Sequence, residues 1–120
     1  DDPIDLIEDW FSSNVTLAVS LRKLVKIMFD YSGTRKGSPS VAKAISNFYD
    51  EEYNILADNI RRGIELGYFK KVSPVFIASF VSTHIDGIFY YSYIHDNTDI
   101  APAMNDLKTI LWEILGYEVK

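Results

Sequence analysis

The residues of this chain that could do acid, base or metal chemistry are few and poorly spaced for acting together. His84 and Asp86 lie two positions apart in a helical stretch, so their side chains do not face each other. His95, Asp96 and Asp99 crowd one turn, but a calcium loop needs more ligands and a glycine at a fixed place. No serine or threonine has a histidine and an acid at the spacing of a nucleophilic site. We therefore predict no catalytic residue, no metal site and no cofactor.

The composition of the chain argues against several further classes of function. The 120 residues include no cysteine, which excludes disulfides and thiolate sites. Seventeen acidic and twelve basic residues give a net charge of −5, so these residues by themselves should repel a phosphate backbone. An apolar stretch of membrane length, residues 75–94, carries Asp86 near its middle. Burying that charge in lipid would cost about 2.5–3.5 kcal/mol, so we predict no membrane association.

Helix signals dominate the elements that must position these residues. The periodicity predicts an all-α fold, a roughly antiparallel bundle of five helices in a single domain over 1–120. Ser73 and Pro74 predict an N-cap and a first turn, whereas Gly67 and Gly116 predict helix ends. The sequence Ser-Ser-Asn at 12–14 predicts a short interruption between the first two helices. The predicted helices cover about 4–12, 15–31, 39–66, 74–95 and 98–115.

The stretch 60–88 carries the most information about assembly. A helix ends there at Gly67, and the helix that follows is apolar on nearly every side. A helix that is apolar all round has to be buried all round. Because so small a domain can hardly cover both sides of it, this pattern predicts a homodimer.

Tyrosines and isolated polar residues on the apolar stripes predict where a ligand could bind. A buried tyrosine hydroxyl needs a hydrogen-bond partner, and Glu52 and Asn59 fall close to the stripe of the third helix. Such an interior fits a small-molecule pocket and an ordinary core equally well, and His84 by itself is typical of a hydrogen-bonded core histidine. The candidate pocket wall lies between the second, third and fourth helices and consists of Met28, Tyr31, Phe48, Glu52, Tyr53, Phe80 and His84.

The stretch LADNIRRGIELGYFKKVSPVFIASFVSTHIDGIFYY resembles the C-terminal domain of the TetR/AcrR family of bacterial transcriptional regulators. That family has a helix ending in I..G...G.F, a short polar link, and a helix with A......DG. The specific part covers about a third of the chain. The matching positions here are Ile60, Gly63, Gly67, Phe69, Ala78, Asp86 and Gly87.

The resemblance implies a ligand-sensing and dimerisation domain that belongs to a cytoplasmic regulator, most simply a repressor released from operator DNA by a small apolar or aromatic effector. It implies that operator DNA is bound only through an N-terminal helix-turn-helix, which these 120 residues do not include. It also implies dimerisation through the last two long helices. The candidate interface residues are Gly87, Ile88, Tyr91, Leu107, Leu111 and Ile114.

Two other classes of function stay open at this point. The chain fits a stand-alone helical interaction or dimerisation module without a ligand, in which every polar residue on the stripes is simply hydrogen-bonded. It also fits a small helical enzyme that would depend on His84 or Glu52. We treat the chain as a non-enzyme because neither residue has a partner at a catalytic spacing in the sequence.

Overall fold

The computed structural model describes residues 1–16, 39–95 and 99–119. These residues form four helices and no strand, so the all-α class is confirmed. The helices are α1 (3–16), α2 (Pro39–Glu65), α3 (Pro74–Ile94) and α4 (Ala101–Leu115). The predicted helix over 15–31 lies almost wholly outside the described residues, so the count of five stays a prediction.

The predicted interruption at 12–14 is wrong, because α1 is helical without a break over 3–16. Asp2 begins the helix by accepting the backbone N–H of Ile4 at 2.9 Å. Asn14 is buried, and its side-chain amide donates to the carbonyl of Trp10, one turn earlier, at 2.8 Å. Burial of the Trp10 and Phe11 face outweighs the weak helix propensity of the two serines that precede Asn14.

The end of α2 is a Schellman motif. Gly67 has a left-handed φ of 80°, and its N–H donates to the carbonyl of Ile64 at 3.0 Å. The N–H of Tyr68 donates to the carbonyl of Gly63 at 2.9 Å, which completes the motif. The chain then turns so that the ring of Phe69 lies buried against Gly63.

Helix α4 ends in the same way, and the two helix ends are joined. Gly116 has a φ of 70°, and the N–H of Tyr117 donates to the carbonyl of Trp112 at 2.9 Å. The backbone N–H of Lys70, in the α2–α3 link, donates to the carbonyl of Leu115 at 2.9 Å. The rings of Phe69, Trp112 and Tyr117 pack together with centroids 5.0–6.1 Å apart. One end of the molecule is therefore fixed by both backbone and aromatic contacts.

Helix starts follow the local sequence signals. The Ser73 hydroxyl accepts the N–H of Phe76 at 3.2 Å, so the predicted N-cap of α3 is confirmed. Before α4, Asp99 accepts the N–H of Ala101 at 3.0 Å, and Pro102 lies in the first turn. The dipeptide Thr98-Asp99 predicts a cap at this place, and Thr98 lies outside the described residues.

All four helices contribute to one core, and α3 packs against both α2 and α4. An ion pair between Lys108 Nζ and a carboxylate oxygen of Glu8, 2.6 Å apart, links α4 to α1 at the edge of this core. The buried apolar residues are Ile7, Trp10, Phe11, Leu56, Ala57, Ile60, Phe69, Ile77, Ala78, Val81, Ile85, Phe89, Ile100, Met104, Leu107, Leu111, Trp112 and Leu115.

Candidate functional site: the groove and outer face of α3

Of the described members of the predicted pocket wall, Phe80 and His84 contact each other, whereas Glu52 and Tyr53 make other contacts. The hydroxyl of Tyr53 donates to the carbonyl of Val75 at 3.1 Å, at the start of α3. Phe80 and His84 stack on each other one turn apart on α3, with ring centroids 4.2 Å apart. Met28 and Tyr31 lie outside the described residues, and so does the side chain of Phe48.

Glu52 belongs to the contact between α1 and α2. Its backbone carbonyl accepts the indole N–H of Trp10 at 3.1 Å. Burial raises the pKa of the Glu52 carboxyl above its usual value, whereas hydrogen bonds from the side chains of Asn14 and Trp10 oppose that shift. This carboxyl therefore serves an interhelical contact and does not face the groove described next.

A groove of about 460 Å³ opens between the second half of α3 and the start of α4, within the size range of small-molecule sites. We call it the α3–α4 groove. It contains His84 of the predicted pocket wall together with three of the predicted interface residues. Its lining residues are Thr83, His84, Gly87, Ile88, Tyr91, Asp99, Ile100 and Ala103.

The polar groups at this groove are engaged by the backbone next to them. The Nδ1 atom of His84 lies 3.2 Å from the carbonyl oxygen of Phe80. One carboxylate oxygen of Asp99 accepts the N–H of Ala101. The groove therefore has an apolar floor, built around Ile88 and Ile100, and its lining also includes the exposed Ala103 and a few polar atoms.

The position of His84 differs from the interpretation of this residue as a core histidine. An apolar helix favours a core position for its histidine, but the structure leaves His84 exposed on the outer side of α3. The reason is that α3 is apolar on both sides, so its sequence pattern does not tell which side faces the core. Ala78, Val81 and Ile85 face inward instead.

The outer side of α3 also carries large apolar residues, although Ser79, Thr83, His84 and Asp86 are exposed between them. Phe76 is 69% exposed, Tyr91 is 56% exposed and Ile94 is 53% exposed. Gly87 lies among them, and a Cβ atom built on it would have no neighbour within 4 Å. Helix α3 therefore has large apolar residues on its outer side as well as on its inner side, and the described part of the chain covers the inner side.

The predicted dimer residues divide into two groups. Gly87 and Tyr91 are exposed, and Ile88 and Ile114 are half-buried. Leu107 and Leu111, by contrast, are 5% and 0% exposed and belong to the core of the single chain, because α4 turns that side toward the other helices. These two leucines are therefore corrected to core residues, and the interface prediction keeps the other four.

Sequence reasoning missed four groove residues: Thr83, Asp99, Ile100 and Ala103. The signal that could have found the last three is the short link between α3 and α4. Such a link makes the two helices antiparallel neighbours, so the start of α4 must lie beside the end of α3. Thr83 could have been found by its spacing, since it lies one turn before Gly87 on the same side.

Comparisons of this chain with protein-family models, with curated proteins and with solved structures find no match. Within the described ranges, no helix is both long enough and apolar enough to cross a membrane.

Proposed function

We propose that this chain is the ligand-sensing and dimerisation domain of a TetR-like transcriptional regulator. In this proposal the effector is a small apolar or aromatic compound, and it binds in the α3–α4 groove. Operator DNA is contacted by a separate N-terminal head. The proposal draws on the sequence resemblance and on the outer side of α3.

The observation that supports it best is the position of the groove beside exposed apolar surface. A groove with an apolar floor and a few marginal polar atoms suits an apolar or aromatic compound. The apolar residues along the same helix suit a second protein surface. A compound bound there would touch both α3 and α4, so it could favour one arrangement of two subunits over another.

The dimer is tested by sedimentation at micromolar concentration. We expect a mass twice that of the 13.7 kDa chain. Gly87→Leu should shift the equilibrium toward monomer, because a large side chain would hold the second helix away. Gly87→Ala is the matched control and should leave the dimer largely intact. A monomer throughout the concentration range would disprove this half of the proposal.

The effector site is tested by a thermal-shift screen of apolar and aromatic compounds. A compound that binds the groove should lose most of its stabilising effect in Ala103→Phe, which places a large side chain in the lining, and in His84→Ala. Binding should persist in Glu52→Gln, because Glu52 lies between α1 and α2. A compound whose binding is unaffected by Ala103→Phe and abolished by Glu52→Gln would place the site elsewhere.

The alternative is a helical interaction module that binds no small molecule. The same exposed residues of α3 favour it, because they need a protein surface and not a ligand. The two hypotheses differ in one observable. A dimer that binds no compound of the screen and purifies without one would favour the module.

A further inference from the structure

Six outward positions of α3 follow a heptad repeat. All are exposed except the half-buried Phe80, and Thr83 is the polar one among them. Starting at Phe76, the outward positions recur at steps of four, three, four, three and four residues. This alternation is the spacing that lets a helix pack along its whole length against another helix at a shallow crossing angle. We call these positions the outer seam: Phe76, Phe80, Thr83, Gly87, Tyr90 and Ile94.

The opposite side of α3 carries a second repeat that is already used. Ala78, Val81, Ile85 and Ser92 are buried at 0–4% exposure, and Ile88 is half-buried between the last two. Their steps are three, four, three and four residues. Helix α3 is therefore built to pack on two sides, and one of them packs within the chain.

Side-chain size along the outer seam is symmetric about the centre of the seam. Two large residues, Phe76 and Phe80, are followed by Thr83 and Gly87, and then by two more large residues. If the seam meets a second, antiparallel copy of itself, Phe76 lies opposite Ile94. Phe80 then lies opposite Tyr90, and the small pair meets at the centre. Large residues thus face large residues, and the helices come closest where the side chains are smallest.

The composition and area of the seam also favour a second copy. The six seam positions have no Asp, Glu, Lys or Arg, and the charge nearest to the proposed axis is the exposed Asp86, which lies beside Gly87 at the edge of the seam. An aromatic residue presents roughly 150–250 Å². The seam together with Tyr91 and Val75 therefore exposes on the order of 600 Å², close to the roughly 800 Å² per subunit of a standard interface.

We propose that two copies of this chain pair through their outer seams, with the α3 helices antiparallel and the two-fold axis between Thr83 and Gly87. This inference rests on the dimer of the proposed function and gives it an orientation and a register. Antiparallel pairing also places the opposite ends of the two helix dipoles side by side.

A consequence for the α3–α4 groove follows from this register. Thr83 and Gly87 belong both to the centre of the seam and to the groove lining. The second copy therefore lies along the mouth of the groove, and a bound compound would contact the helix pair at its closest point. Ligand binding and the angle between the subunits are linked at this place.

Cysteine cross-linking tests the register without background, because the chain has no cysteine. In the double variant Phe76→Cys/Ile94→Cys the two thiols lie about 27 Å apart on one helix, so a disulfide between them can form only across subunits. We expect the double variant to give a covalent dimer on mild oxidation. An equal mixture of the two single variants should also cross-link, and either single variant alone should yield at least several-fold less.

Two further variants make the test decisive. Phe80→Cys/Tyr90→Cys probes the next layer of the same register and should behave in the same way. Glu51→Cys, at an exposed position of α2 away from the seam, should not cross-link. Circular dichroism on each variant establishes that the helices are intact.

The outcomes separate this inference from the proposed function. If single Phe76→Cys cross-links as completely as the double variant, the helices are parallel and the register is wrong. If sedimentation gives a dimer but neither double variant cross-links, the seam is wrong and the dimer stands. If the protein is a monomer, the seam register and the proposed dimer are both wrong. The effector site is still tested separately by the thermal-shift screen.

Discussion

The ring of Phe69 occupies the space where Gly63 would carry a side chain. A Cβ atom built on Gly63 would lie 2.0 Å from Cε2 of Phe69 and 2.2 Å from its Cδ2. Phe69 is 6% exposed and packs against Trp112 and Tyr117, so its ring has no room to move aside. The glycine and the phenylalanine of the I..G...G.F pattern thus have one physical explanation, a close contact between a helix and the chain that leaves it.

Gly63→Ala should destabilise the fold by about 1–3 kcal/mol, because the new methyl group overlaps the fixed ring of Phe69. Gly87→Ala is the matched control on another helix. Its Cβ meets nothing within 4 Å, so removing a helical glycine there should stabilise the fold by about 0.5–1 kcal/mol. Urea unfolding at low protein concentration measures both. Equal effects of the two substitutions would contradict the contact.

The two left-handed glycines should differ in their tolerance of a side chain. Gly67 has a φ of 80° and open space around it, so Gly67→Ala should cost about 1–2 kcal/mol from backbone strain alone. Gly116 has a φ of 70°, and its Cβ would lie 2.7 Å from Cγ of Lys70. Gly116→Ala should therefore cost more than Gly67→Ala in the same urea experiment.

A second substitution isolates the steric part of that difference. Lys70 is held near Gly116 by its backbone hydrogen bond to Leu115, so shortening its side chain removes the clash and leaves the backbone contact in place. Lys70→Ala should recover part of the loss in the Gly116→Ala background and none in the Gly67→Ala background. Equal recovery in both would mean that strain at φ explains the whole effect.

Helix ends could be predicted from the sequence because they depend on single residues with local chemistry. Ser73 caps α3, and the glycines Gly67 and Gly116 terminate α2 and α4 as their types predict. The break after Ser12 was wrong because packing overrides propensity. Asn14, beyond the two serines, is buried and donates to the carbonyl of Trp10, which keeps the helix continuous.

The site was harder to predict, because it depends on which side of a helix faces inward. Helix α3 is apolar on both sides, so periodicity could not separate the buried Val81 and Ile85 from the exposed His84 and Tyr91. On α4 the apolar spacing led to Leu107 and Leu111 being predicted at the interface, but such spacing does not tell whether a residue packs within the chain or across an interface. That choice is made by the arrangement of the other helices.

The ion pair between Glu8 and Lys108 should contribute little on its own. The two groups are 2.6 Å apart, but their side chains are 37% and 22% exposed, so water competes for both. Lys108→Met should reduce stability by about 0.2–1 kcal/mol. A double-mutant cycle with Glu8→Gln measures the coupling, and the intrahelical pair Arg61 and Asp58 serves as a more exposed comparison. A coupling well above this range would mean that the pair is shielded from solvent.

Glu52 should make the stability of the fold depend on pH. Burial raises the pKa of its carboxyl in the folded state, so the folded chain holds this proton more tightly than the unfolded chain does. The contribution of Glu52 to stability is therefore greatest at low pH, and it falls as pH rises from the unfolded pKa through the higher folded one. Above that window the carboxylate is ionised in the folded chain as well, and its burial lowers the free energy of unfolding.

Glu52→Gln removes this charge while keeping an oxygen that can accept from Asn14 and Trp10. We expect its stability relative to the unchanged protein to rise as pH increases above the ordinary glutamate pKa of 4.5, measured as the difference in urea midpoints at each pH. Asp50→Asn, at an exposed position of the same helix, is the matched control for the loss of one carboxylate. A Glu52→Gln difference that falls with increasing pH would mean that the hydrogen bonds to the carboxylate outweigh its burial.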